Sequence, residues 1–68
     1  MYLVIEIQRL SDTTVAITPV YSTAVWAQAE SEFHRLCSIA AVSSVLKHTI
    51  VFMDDGGFTF DRKSYEHG

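Results

Sequence analysis

The chain has 68 residues, 49% of them hydrophobic and 19% charged, with a formal net charge of −3 and a mean hydropathy of +0.18. That length holds one domain, residues 1–68, and that composition excludes a disordered tail, which combines low hydrophobicity with high net charge. Five basic residues against eight acidic ones form no basic patch, so nucleic acid is not an expected partner.

Residues 2–10 are rich in β-branched and aromatic side chains. They alternate, with Leu3, Ile5 and Ile7 on one side and Val4, Glu6, Gln8 and Leu10 on the other, which predicts a half-buried strand. Ser11-Asp12-Thr13-Thr14 carries turn chemistry, and Thr14–Tyr21 resumes strand character through Val15, Ile17 and Val20. Pro19 has no N–H to give a ladder, which makes this second strand an edge or interrupts it there. Ser22 or Thr23 then offers a helix N-cap. From Ala24 to about Ser44 there is no Gly or Pro, and Trp26, Ala29, Phe33, Leu36 or Cys37, Ala40 and Ser44 recur at helical spacing. This predicts one helix of about 20 residues. His48–Asp54 reads as a third strand, Asp54-Asp55-Gly56-Gly57 as a tight hairpin turn, and residues 58–65 as the last strand. The order β-β-α-β-β gives an α+β fold, one long helix packed on a four-stranded, mainly antiparallel sheet.

A domain this small hides only roughly 60% of the surface its unfolded chain exposes, and such folds usually need a staple or a partner. Cys37 is the sole cysteine, so an internal disulfide is impossible. The first half of the helix has a wet side at Gln28, Ser31, Glu32 and Arg35. After Arg35 its only polar groups are serines, and Ile39, Val42 and Leu46 lie roughly opposite Leu36, Ala40 and Ala41. One sheet covers one side of a helix, so the other side asks for a second chain. The far sheet face has the same surplus, since Tyr2, Val4, Val20, Phe58 and Phe60 cannot all meet one helix. The expectation is a homo-oligomer, a C2 dimer above all, with Trp26, Ile39, Val42 and Leu46 in its interface. Trp26, if exposed, is the best candidate for a binding hot spot. The competing reading is a tightly packed monomer with a few exposed apolar groups.

Chemistry-bearing constellations are sparse. His34 follows Glu30 by four residues and precedes Cys37 by three. Two ligands on one helix do not make a metal site without convergent partners, and a buried Cys37 beside a surface His34 is the simpler reading. A Cys–His nucleophile would lack a third, orienting group. Asp54, Asp55 and Asp61 do not have EF-hand spacing, and Gly56-Gly57 opens no helix as a phosphate loop must. Phe58 and Phe60 share a strand face and read as core or interface. No catalytic, metal or cofactor-binding residue is therefore assigned. Met1 runs directly into Tyr2-Leu3-Val4-Ile5-Glu6 with no basic n-region or cleavage site, and Cys37–Leu46 is too short and too serine-rich to span a bilayer. A soluble cytoplasmic protein with no membrane partner is expected.

Val4-Ile5-Glu6-Ile7-Gln8, Ala29-Glu30-Ser31-Glu32-Phe33-His34, Ala40-Ala41-Val42-Ser43-Ser44-Val45, His48 and Ser64-Tyr65-Glu66-His67 together carry a resemblance. They resemble a group of small proteins encoded by phages and prophages of gut Firmicutes. The chain departs from that pattern at Leu46, where a Pro would be expected. The resemblance brings no activity to particular residues; it implies a phage setting, with a role in the host cytoplasm or the virion. Two functions of different class follow. The first is a non-enzymatic accessory protein that oligomerises and binds a host protein, such as a defence component, or a phage protein, through its apolar helix face and hairpin tip. The second is a protein that sequesters a nucleotide-like small molecule at a subunit interface, with Tyr2, Trp26, His34, His48 and Arg62 as liners. An enzyme is the least supported reading.

Overall fold

The computed structural model describes residues 1–17 and 20–67. Five strands and one helix follow in the order β1 (Tyr2–Arg9), β2 (Val15–Ile17), β3 (Tyr21–Thr23), α1 (Trp26–Ala41), β4 (Lys47–Asp54) and β5 (Thr59–Glu66). All strand pairs are antiparallel, in the order β2-β1-β4-β5, with β3 also beside β1. The fold is α+β, as expected, but the sheet has five strands where four were predicted.

The difference lies in the second predicted strand. β2 pairs with the Ile7–Arg9 end of β1 and β3 with its Tyr2–Val4 end, and the two halves differ in register by one residue. Directly opposed residues share a sheet face, so a one-residue slip exchanges faces. Ile17 lies opposite Ile7, whereas Tyr21 lies opposite Val4 and packs on the core. The break expected at Pro19 falls outside the described residues.

The helix is shorter than predicted at both ends. Its N-cap is Val25, in extended conformation with no side-chain cap, rather than Ser22 or Thr23. Thr23 works from one step further out: its hydroxyl oxygen accepts from the Val25 N–H (3.1 Å) and its O–H donates to Gln28 Oε1 (2.8 Å). At the other end Val42 is the C-cap. Val42-Ser43-Ser44-Val45 consists of β-branched and serine residues, weak helix formers, and without packing to hold them the helix stops.

Ala29, Phe33, Cys37 and Ala40 are the buried residues of α1, and they meet Val4 of β1 and Ile50 and Phe52 of β4. The two alanines keep the ends of the helix close to the sheet while Phe33 fills the space between them. Leu36, Tyr2, Tyr21 and Tyr65 close the margins of this core. Between β4 and β5 the chain turns through Asp54–Gly57. Asp54 Oδ1 accepts from the N–H groups of Gly56 and Phe58 (both 2.9 Å), and Gly57 takes the positive φ of 95° that favours glycine. A bulge follows, in which Met53 faces Thr59 and Phe52 faces Asp61, leaving Phe60 as the extra residue. Among the described residues no helix is long and apolar enough to cross a membrane.

Candidate functional site

Alternation in β1 and β4 gives the sheet two unlike faces. Toward α1 point Tyr2, Val4, Glu6 and Gln8 from β1, and opposite them Asp54, Phe52, Ile50 and His48 from β4. Away from α1 point Leu3, Ile5, Ile7 and Arg9, opposite Met53, Val51, Thr49 and Lys47. β2 extends this second face with Ile17 beside Ile7 and Val15 beside Arg9, and β5 extends it with Arg62 beside Val51, Ser64 beside Thr49 and Glu66 beside Lys47. The far-face residues expected from the sequence are thereby corrected. Tyr2 and Val4 lie on the helix side, and the open face is built on Leu3, Ile5 and Ile7.

The covered face contains a polar chain. His48 is 2% exposed; its Nε2 stands 2.7 Å from Glu6 Oε2 and its Nδ1 3.0 Å from Ser43 Oγ. With a neutral imidazole, Nε2–H donates to the carboxylate and Nδ1 accepts the Ser43 hydroxyl proton; with an imidazolium both ring nitrogens donate. Serine, histidine and glutamate in sequence are the ingredients of a nucleophilic triad. The surroundings do not suit one. Ser43 follows the C-terminus of α1, where backbone carbonyls gather, and the Val42 and Ser43 N–H groups already donate to Ile39 and Ala40 carbonyls. A developing oxyanion there would meet acceptors instead of donors. The chain acts as a strut, tying the segment after α1 to β4 and, through Glu6, to β1. His67 adds a second tie, with Nε2 2.9 Å from the Ala40 carbonyl oxygen.

The open face is apolar at its centre. Leu3, Ile5, Ile7, Val51 and Met53 are half-buried, and Val15 and Ile17 are 61% and 64% exposed. Its rim is polar: Arg9 lies 3.9 Å from Asp12 and Lys47 3.9 Å from Glu66. Arg9, Asp12, Leu46, Lys47 and Glu66 surround a shallow hollow of about 260 Å³ at that end.

The residues singled out from sequence are scattered. Trp26 (41% exposed) belongs to an aromatic cluster at the N-terminal end of α1, edge-on to Tyr2 (5.3 Å) and Phe60 (4.9 Å) and tilted against Phe52 (4.7 Å). Ile39 and Val42 are exposed at the other end of a helix about 24 Å long. Leu46 sits in the charged hollow. The four expected interface residues therefore form no single patch. Val42 and Leu46 also lie beyond the helix that was expected to carry them. Of the five expected pocket liners, only Tyr2 and Trp26 meet within one chain. His34 is exposed against the edge of Phe33 (5.6 Å), His48 is enclosed in its strut, and Arg62 is on the opposite sheet face. Cys37 is buried, and burial, then the nearby Asp61 carboxylate, push its thiol up from its ordinary range. Among the described residues no three His, Cys, Asp or Glu side chains gather as a metal site. Asp54 serves the turn, Asp61 accepts the Arg62 N–H, and Asp55 lies 3.5 Å from the terminal amine.

Sequence reasoning missed the strut. Its signal was present, since Glu6 and His48 both alternate with the inward-facing Val4 and Ile50. Comparison of the chain with family models, with curated proteins and with solved structures returns no match.

Proposed function

We propose that this protein is a small non-enzymatic binding module that associates with itself and binds a second protein, the second protein through the open face of its sheet. One observation carries the reading: Leu3, Ile5, Ile7, Val51 and Met53 form a half-buried apolar stripe, flanked by the exposed Val15 and Ile17, on the sheet face opposite the one α1 covers. Contiguous exposed apolar surface on a small domain marks an interaction site. An apolar centre with the polar rim of Arg9, Asp12, Lys47, Arg62 and Glu66 has the anatomy of a protein–protein interface. The rim holds more cations than carboxylates, which favours a partner with an apolar ridge and acidic flanks. The resemblance to phage and prophage proteins supports a role in the host cytoplasm on a host or phage protein, in counter-defence or in assembly.

A second reading, sequestration of a nucleotide-like molecule between subunits, draws on the half-exposed Trp26 standing edge-on to Tyr2. Native mass spectrometry of protein taken from host cells separates the two. The binding-module reading expects a co-purifying protein that Ile5→Thr/Val51→Thr loses, while the variant keeps the wild-type circular dichroism spectrum. A retained small molecule with no protein partner overturns it in favour of the pocket.

A further inference from the structure

The two edges of the sheet differ. One is divided between the three-residue β2 and β3; the other is the unbroken eight-residue β5. Antiparallel ladders alternate hydrogen-bonded and non-hydrogen-bonded pairs. The His67 N–H donates to the Leu46 carbonyl (2.9 Å) at one end of the β4–β5 pair and the Asp54 N–H to the Phe58 carbonyl (2.9 Å) at the other. Counting inward from His67 along the register, Asp61, Lys63 and Tyr65 direct their backbone groups to β4. Arg62, Ser64 and Glu66 therefore direct theirs to the free edge. The Arg62 N–H is accordingly taken by the carboxylate of Asp61 (2.7 Å).

We infer that β5 is the contact between two copies of the chain, paired antiparallel to itself about a twofold axis at Ser64. The inference rests on the self-association in the reading above and says where it occurs. Charge selects the register. A twofold axis perpendicular to the sheet can pass through Asp61, Arg62, Lys63, Ser64 or Tyr65. The first three bring two aspartates, two arginines or two lysines face to face, and like charges directly opposite are destabilising. An axis at Tyr65 leaves only a short overlap and sets Lys63 against His67. The axis at Ser64 places each Arg62 opposite the other copy's Glu66 and each Lys63 opposite Tyr65, with no like pair in the strand. It also opposes the outward-facing residues Arg62, Ser64 and Glu66 to one another, so each pair exchanges two backbone hydrogen bonds. The Arg62 N–H then leaves its Asp61 carboxylate for the carbonyl of Glu66 in the other copy. The Arg62 guanidinium has no carboxylate partner among the described residues, and Glu66 holds only the loose 3.9 Å contact to Lys47. Both groups are available for the exchange. The pairing keeps both helices on one side and joins the two apolar faces on the other.

Sedimentation velocity over a concentration series tests this, read beside circular dichroism. The wild type is expected to reach twice its 7.6 kDa mass. Arg62→Glu, which faces Glu66 of the other copy, should weaken the dimer by about tenfold or more, and Arg62→Glu/Glu66→Arg should restore it. Ser64→Pro removes an outward N–H that β4 does not use, a place where edge strands tolerate proline, and should abolish the dimer with the fold kept. Ser64→Thr keeps the N–H and should keep the dimer. A wild type that stays monomeric at every concentration overturns self-association itself. A wild-type dimer indifferent to both Arg62→Glu and Ser64→Pro overturns the β5 contact alone. Failure of the charge exchange to rescue overturns the register.

Discussion

The two faces of this sheet invert the usual arrangement. The covered face carries Glu6 and His48 among Val4, Ile50 and Phe52, while the face without a helix carries Leu3, Ile5, Ile7, Val51 and Met53 in an unbroken stripe. Polar groups on the covered face are affordable because each is bonded: the imidazole satisfies a carboxylate and a hydroxyl together, and no buried side-chain nitrogen or oxygen among the described residues lacks a partner. Apolar groups on the open face stay only half-buried within one chain. On the proposed reading, stability and partner binding fall on opposite sides of one sheet, and substitutions can address them separately.

The largest effect is expected on the covered face. Phe33→Ala empties the middle of the helix–sheet contact and should cost about 3–5 kcal/mol, enough to abolish the cooperative thermal transition of so small a domain. Next is the strut. Glu6→Ala leaves a buried imidazole N–H without its acceptor and should cost about 1–3 kcal/mol. Urea denaturation should show Glu6→Leu/His48→Leu to be less destabilised than the sum of its single variants, because apolar replacement of both partners leaves nothing unpaired. On the open face, Ile5→Thr/Val51→Thr keeps β-branched shape and should change stability by less than about 1 kcal/mol while removing partner binding. An open-face loss as large as the one at Phe33 would end the division of labour.

The smallest effect concerns neither face. On the outer side of α1, Arg35 holds Glu32 through two 2.7 Å hydrogen bonds, and these lower the Glu32 carboxyl below its ordinary value. A carboxyl lowered in the folded state stabilises above its unfolded value and loses that contribution as pH falls through the folded one. Glu32→Gln and wild type should therefore melt together in strong acid and separate slightly at neutral pH. The pair is exposed and screened, so the gap should narrow further with added salt.

Much of this was legible in the chain. The alternation of residues 2–10, the helical spacing of Ala29, Phe33, Cys37 and Ala40, and the Asp-Asp-Gly-Gly turn each act over a few neighbouring residues, and each is where the sequence places it. What escaped depends on register. A one-residue slip between β2 and β3 reverses which side chains face the helix, and no local pattern carries it. The open face was recognisable as a surplus of apolar residues but was assigned to Tyr2 and Val4, because alternation divides a strand into two sides without saying which one the helix takes. The strut joins positions 42 residues apart and is written in two polar residues that a composition count treats as surface. Trp26 and Val42 were expected to share a patch, but the helix ends at Ala41 and separates them along its length.

The divided edge formed by β2 and β3 has a consequence for how far such a sheet can grow. A strand added there would have to follow a one-residue change of register halfway along, so ordered addition is discouraged on that side. Among the described residues only β5 offers a straight template, and a sheet with one template edge has an edge valence of one. On the pairing inferred above, association through β5 would close after two copies, which would give a chain this rich in apolar surface a protection against edge-to-edge growth into fibres.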